Sequence, residues 1–356
     1  MEYSKETYFQ RQTIVSEFGE IGQERLSQTK VLIVGCGGLG SPAAVYLAAS
    51  GIGELHLVDF DRVSVSNLHR QVFYNLDDVG KNKAEVLAAH ISRKTSFCKV
   101  TYASKPLSKE NAINLIQDFD IILDGTDHLP TKYLINDVCV LLGKPLVYGS
   151  LYKFDGYVAS FNVKNEEGTY SCNLRDAFPE ISKDVPNCEE AGTLNPIVGI
   201  IALMQANEVL KIASEIGTPL QEELLIFNAL NNTQFKMKLK PSKRDFQKLF
   251  DATSYESVVC SNQKNEWLIS NKKLKSDESD YCIINLSNKK KSEIPFEKFE
   301  SVLFKDFNTN DFKPKMNKKY VFVCNKGITS YTIVEKVKKI YPELRAFSLA
   351  GGLENY

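Results

Sequence analysis

The chain carries no net charge: across its 356 residues, Lys and Arg number 44 and so do Asp and Glu. No global field therefore favours nucleic acid, an anionic membrane surface or a strongly acidic partner, so charge-based recognition has to be local. Residues 1–12 lack the apolar core of a secretory signal, which argues against export and for a cytoplasmic protein. Long apolar runs are also missing. The longest, Pro196–Met204, is too short for a bilayer and leads into Gln205, Asn207 and Glu208, so a buried helix is expected and no membrane partner. None of the eight cysteines, at 36, 98, 139, 172, 188, 260, 282 and 324, forms a CxxC pair. In the reducing compartment expected here they are read as thiols, not disulfides.

What is present begins with length, which exceeds what one core usually organises and favours one large and one small domain. Lys30–Val34 is a β-rich run, Gly35–Gly40 a glycine turn, Pro42–Ala49 a helical stretch and Glu54–Val58 a second strand, which makes a βαβ unit. Strand candidates at Val100–Ala103, Asp120–Leu123 and Pro145–Tyr148 alternate with helical stretches at Lys83–Ile91, Lys109–Gln117 and Thr131–Leu141. The pattern predicts an α/β fold, a Rossmann-like, doubly wound, mostly parallel sheet. Strand-like segments near Tyr157 then give way to a loop and a helix over Asn195–Ile212, with Asn195 as N-cap and Pro196 in the first turn. Residues 241–280 are polar and lysine-rich and are read as a linker between a domain at 1–240 and a small α/β module at 281–356. In that module Tyr281–Leu286 and Tyr320–Cys324 are expected strands, and Ser330–Ile340 a helix.

The turn Gly35, Cys36, Gly37, Gly38, Leu39, Gly40 follows a strand and opens a helix, so its amides can approach phosphates at a helix N-terminus. Asp59, ending the next strand, is placed to accept hydrogen bonds from ribose hydroxyls. These features alone describe an NAD-dependent oxidoreductase. The segment that follows adds Asp61, Ser66, Asn67, Leu68, His69 and Arg70, a carboxylate, an amide and a guanidinium for which hydride transfer has no evident use. Nucleotidyl transfer does use them, because charge on the α-phosphate and on departing pyrophosphate must be neutralised by fixed cations and Mg²⁺. Arg70 and Lys83 are the candidate cations, and Asp127, beyond the strand at 120–123, is the candidate metal ligand.

Together, Gly-x-Gly-Gly-x-Gly, Asp-Phe-Asp-x-Val-x-x-Ser-Asn-Leu-x-Arg-Gln, Val79-Gly80-Lys81-x-Lys83 and Asp124-Gly125-Thr126-Asp127 form a signature. It resembles the ThiF/MoeB family of ubiquitin-activating-like adenylyltransferases, over about residues 8 to 240. The resemblance implies ATP held by the glycine turn, Asp59, Ser66–Arg70 and Lys83, with Asp127 on Mg²⁺ or the reacting phosphate. His128 follows where asparagine is common in the family. Arg11 matches the family's N-terminal arginine, supplied across a homodimer to the partner's ATP, so a homodimer is expected. The implied reaction is adenylation of the C-terminal glycine of a ubiquitin-like sulfur carrier. Asn187–Gly192 resembles the family's cysteine loop, where Cys188 forms a transient acyl or disulfide link. Many members bind zinc through two CxxC pairs; here Thr169 and Cys172 stand at the first pair and Met237–Leu249 has no cysteine, so no structural zinc is expected.

Near the C-terminus, Cys324-Asn325-Lys326-Gly327-Ile328-Thr329-Ser330 runs from a strand into a helix and resembles the active-site loop of rhodanese domains. A thiol at a helix mouth, with amides around it and Lys326 near, favours an anionic persulfide. The module departs from the rhodanese pattern in having Thr329 at the second basic position and little of the usual opening over Tyr281–Phe299, while Ala350–Leu353 suits a closing turn. The resemblance makes Cys324 the sulfur donor, loaded by a cysteine desulfurase or another persulfide donor. The fusion resembles molybdopterin-synthase activating enzymes with a rhodanese tail, which implies a MoaD-like carrier. A ThiS-like carrier, an oxidoreductase and a non-catalytic carrier-binding scaffold are the alternatives.

Overall fold

The computed structural model describes residues 4–181, 192–255, 265–287, 289, 291–309, 311–325, 327–353 and 356. Two compact units divide the chain, Met1–Tyr255 and Glu256–Tyr356. The first runs α1 (Lys5–Thr13), α2 (Gly19–Gln28), β1 (Lys30–Val34), α3 (Gly40–Ser50), β2 (Glu54–Val58), α4 (Lys83–Lys94), β3 (Lys99–Ala103), α5 (Lys109–Ile116) and β4 (Ile121–Asp124). It continues with α6 (Leu129–Leu142), β5 (Leu146–Tyr152), β6 (Asp155–Phe161), α7 (Leu174–Ala177), α8 (Asn195–Ser214), β7 (Glu223–Asn228), β8 (Thr233–Lys238) and α9 (Phe246–Ala252).

Its strands form one sheet in the order β3-β2-β1-β4-β5-β6-β7-β8. The first five are parallel, and the last three are added antiparallel. On β1, Val31 and Ile33 face a core shared with α2, α3, α4 and α8, whereas Leu32 and Val34 face a second core with α5, α6 and α9. Burial on both faces is why this strand reads as a continuous apolar run instead of an alternating one. Asn82 sets the start of α4 by accepting the Glu85 amide at 3.1 Å, an N-cap worth about 1 kcal/mol.

Several boundaries differ from the sequence-based expectations, three of them for reasons that the structure shows. The strand expected to start at Asp120 runs one residue later, because Asp120 turns its carboxylate to the Lys30 amide at 2.8 Å. Helix α8 begins after Leu194, so Asn195 is its first residue and not its cap; Pro196 suits that first turn, where its missing N–H has no intrahelical partner to lose. The stretch 241–280 is structured in part. Phe250 of α9 and Tyr255 join the second core, and Lys109 Nζ donates to the carbonyls of Asp251 at 3.0 Å and Thr253 at 3.3 Å. Helix α8 is long and apolar enough to cross a membrane, alone in this among the described residues, and half of it is buried, against α3, β5 and β6.

The second unit contains β9 (Leu268–Ile269), α10 (Asn271–Ser276), β10 (Tyr281–Asn285), β11 (Phe299–Ser301), β12 (Lys319–Val323), α11 (Ile328–Ile340) and β13 (Arg345–Leu349). Its sheet has the order β11-β10-β12-β13-β9 and is parallel throughout. Strand β9 lies in the stretch expected to be a linker; two residues are too few to show a period. On the central β12, Tyr320 and Phe322 face one core, Val321 and Val323 the other.

Candidate functional site

From β1 the chain winds to β2 and β3, and from β4 it winds to β5 on the other side. The crevice beyond the carboxyl ends of β1 and β4 is therefore the switch point where such sheets bind ligands. Two turns meet there, Gly35–Gly40 and Asp124–His128. They touch through backbone: a Cβ at Gly125 would lie 2.7 Å from Gly35 O, and one at Gly35 would lie 2.8 Å from Gly125 O. Any side chain at either position would part the turns. Gly38 is covered by Val198, with the Arg70 carbonyl beside it, while among the described residues a Cβ at Gly37 would meet Gln71 Nε2 alone, at 3.5 Å. Gln71 is buried and its Oε1 has no hydrogen-bond partner among the described residues. An open amide turn beside an orphaned acceptor fits a polar ligand such as a nucleotide.

Asp59 braces this turn. Its Oδ2 accepts the Cys36 amide at 2.7 Å and its Oδ1 the Asp61 amide at 2.8 Å. Burial raises the Asp59 carboxyl above its ordinary pKa, against the pull of Lys83 and the two amides. Asp61 in turn accepts Lys83 Nζ at 3.0 Å, and Lys83, at the first position of α4, is only 4% exposed. Asn82 Nδ2 donates to the carbonyls of Asp59 at 2.9 Å and Asp61 at 3.1 Å. Tyr74, which the sequence reading missed, donates its hydroxyl to Cys36 O at 2.6 Å, with Lys83 O at 3.3 Å. Burial holds that phenol well above its usual range, so it stays a donor.

The crossover after β2 carries the second cation. Arg70 donates to Asn67 Oδ1 at 2.9 Å and to the Ser66 carbonyl at 3.2 Å. Ser66 and His69 are exposed, with His69 Nδ1 3.0 Å from Ser66 O. Leu68, expected among the nucleotide contacts, is half-buried with its side chain against the first core, where an apolar group on an exposed crossover gains by burial. Asp127 is exposed just past β4, and His128 precedes α6 with Nδ1 2.8 Å from Thr131 Oγ1.

Behind Asp127 lies a pair that the sequence reading also missed. Asp124 is fully buried; Oδ1 accepts the Thr126 amide at 3.0 Å and hydroxyl at 2.7 Å, and Oδ2 accepts Lys132 Nζ at 2.9 Å. Lys132 also donates to Gly149 O at 2.7 Å, and Gln205 Nε2 donates to Asp124 O at 2.8 Å. Strands β4 and β5 and helices α6 and α8 thus hold the turn that presents Asp127. A lysine just before the apolar face of α6 was the available signal.

Arg11 is exposed in the last turn of α1. Cys188 and Lys326 lie outside the described residues. Cys172 is buried, and Thr169 Oγ1 accepts Asn165 Nδ2 at 2.6 Å. Among the described residues no cluster of three His, Cys, Asp or Glu could hold a metal. That end of the first unit is held by charge. Arg175 clasps Asp137 with two bonds of 2.7 Å, Tyr255 donates to the same carboxylate at 2.6 Å, and Asp176 accepts the Ser242 amide at 2.9 Å.

In the second unit Cys324 closes the central strand β12, 5% exposed. The Ser330 amide, in the first turn of α11, donates to its Sγ at 3.3 Å, and Ser330 Oγ lies 3.2 Å away. The closing turn returns here, Leu353 N donating to Cys324 O at 2.9 Å.

A 237-residue stretch, 67% of the chain, is 44% identical to the Adenylyltransferase and sulfurtransferase MOCS3 of Caenorhabditis briggsae, of whose length it spans 58%. Over 248 residues, 68% of the chain, it is 40% identical to the Sulfur carrier protein adenylyltransferase of Thermus thermophilus, covering 92% of that protein. In fold, 68% of the chain superposes on 74% of MccB of E. coli, solved with MccA-N7isoASN, at a TM-score of 0.60 and 23% identity. Residues 9–248 match the ThiF family across the glycine turn, both cations and the Asp127 turn, and the chain belongs to that family.

Proposed function

We propose that this protein uses ATP to adenylate the C-terminal glycine carboxylate of a ubiquitin-like sulfur carrier of the MoaD-like type, and that its second unit is a rhodanese-like domain that supplies sulfur to the activated carrier. The observation that carries the first half is the linked set around the glycine turn, in which Lys83, Asp61, Asp59 and the Cys36 amide form one hydrogen-bonded chain. Phosphates lie along the open amides at Gly37, and the spare lone pairs of Asp59 face the ribose. The carrier's carboxylate oxygen attacks the α-phosphorus, the bond to the bridging oxygen breaks, and pyrophosphate leaves. Lys83 and Arg70 neutralise the charge that builds on the phosphates, in a site pre-oriented by Asp61 and Asn67. Asp127 would hold Mg²⁺, which neutralises phosphate charge and is usually bound by one or two carboxylates with the phosphates themselves. Arg11 completes the site of a second copy in a homodimer. The names of the MOCS3 and Thermus thermophilus relatives support this chemistry.

The sulfur half is supported by Cys324 at the end of the central strand of a five-stranded parallel sheet, facing the first turn of α11. A persulfide donor such as a cysteine desulfurase loads it. The direct test is ATP–pyrophosphate exchange with purified MoaD-like and ThiS-like carriers. Exchange dependent on a carrier and on its terminal glycine is expected, and Cys324→Ala is expected to leave exchange intact while stopping thiocarboxylate formation. No exchange with any such carrier would defeat the reading.

A further inference from the structure

We propose that Ser330 and Ser348 form a reversible hydroxyl relay that hydrogen-bonds the Cys324 sulfur in both its thiol and its anionic state, with Ser330 a positioning residue for sulfur loading; the loading role rests on the sulfur-transfer reading above. Ser330 Oγ lies 3.2 Å from Cys324 Sγ and 2.8 Å from Ser348 Oγ, and Ser348 Oγ reaches Gly327 O at 3.2 Å. Both serines are 0% exposed, so their hydroxyls cannot turn to bulk water.

Each hydroxyl has one hydrogen to place. When Ser348 donates to Gly327 O, its oxygen accepts from Ser330, and Ser330 then accepts from the Cys324 S–H. This order serves the thiol. When Ser348 donates to Ser330 and Ser330 to the sulfur, the sulfur receives a hydroxyl beside the Ser330 amide at 3.3 Å. The second order serves a thiolate or persulfide anion. Gly327 O is not orphaned by the reversal, since it also accepts the Tyr331 amide at 3.3 Å. Only O–H rotations separate the two orders. The relay ends on a carbonyl, which cannot take up a proton, so it reorients without conducting, and the thiol proton leaves to solvent.

A neutral relay suits a loop whose second basic position is Thr329. With thiosulfate as probe, the Cys324 thiolate attacks the outer sulfur, the sulfur–sulfur bond of thiosulfate breaks, and sulfite departs with the electron pair, leaving Cys324–S–S⁻. The new terminal anion keeps the donors at the cysteine.

The test uses the full chain and two readouts. One is the infrared S–H stretch of Cys324, isolated by difference against Cys324→Ala; the other is single-turnover sulfite release from thiosulfate. In Ser330→Ala the band moves to higher frequency, because the thiol loses its acceptor, and loading slows about tenfold, as expected for one hydrogen bond to an anion. In Ser348→Ala the band also rises, because the Ser330 hydroxyl, left without an acceptor, turns to the sulfur. Loading there stays within about threefold, since the anion keeps its nearest donor. An unmoved band in Ser330→Ala overturns the relay, as does equal slowing in both variants. If the bands move as described but wild-type protein releases no sulfite, the relay stands and the sulfur-transfer reading fails.

Discussion

Replacing Lys132 by Met removes a donor while keeping most of the side-chain volume. In the native fold Lys132 Nζ lies 2.9 Å from Asp124 Oδ2, 2.7 Å from Gly149 O and 5.0 Å from the centre of the Tyr148 ring. The two side chains are 4% and 0% exposed. Lys132→Met therefore strands a buried carboxylate that, among the described residues, keeps the amide and hydroxyl bonds of Thr126 alone. Breaking one side of a buried pair costs about 3–5 kcal/mol, against about 1 kcal/mol or less for an exposed one. Adding Asp124→Asn removes the stranded charge and is expected to recover about 2 kcal/mol, the usual scale of coupling within a network. Hydrogen exchange on peptides covering β4 and α6 reads the opening free energy of the first unit separately from the second. Because the same pair holds the turn before Asp127, ATP affinity should fall in Lys132→Met and return in part in the double variant. A loss below about 1 kcal/mol for Lys132→Met, or a double variant as unstable as the sum of the single ones, would refute the argument.

Arg70→Ala and Lys83→Met should each lower carrier-dependent pyrophosphate exchange by about a hundredfold to a thousandfold, the usual effect of deleting one group that meets transition-state charge; circular dichroism checks that the fold persists. If Arg11 acts across a homodimer, mixing inactive Arg11→Ala and Lys83→Met proteins should restore about a quarter of wild-type exchange, because half the randomly formed dimers carry one intact site of two. No recovery after verified subunit exchange would exclude the shared site. Burial pushes the Cys98 thiol up to about 12, and the thiolate is the reactive form. Its alkylation, followed by peptide mass spectrometry, should therefore be very slow near about pH 8 and climb about tenfold per pH unit for as long as the fold survives. A plateau near the ordinary thiol range would show that Cys98 is not buried.

The glycine turn, the paired acids Asp59 and Asp61, the cations Arg70 and Lys83 and the cysteine before α11 were all legible along the chain. Each belongs to a local pattern: a strand, a turn whose Gly35 and Gly40 leave no room for a side chain, and a helix start. The inner strands were legible for a related reason, since burial on both faces demands unbroken apolar runs. Less was legible where partners come from far along the chain. No spacing rule pairs Asp124 with Lys132, brings Gln205 to the Asp124 carbonyl, or sets Tyr255 on the carboxylate that Arg175 clasps. Leu68 sits among polar neighbours and only the packed core shows which way it turns. Strand β9, two residues long, becomes a strand because β13 offers it hydrogen bonds. Short-range chemistry is written in the order of residues, whereas the pairing of buried charges and edge strands depends on which distant segments folding brings within about 3 Å of each other.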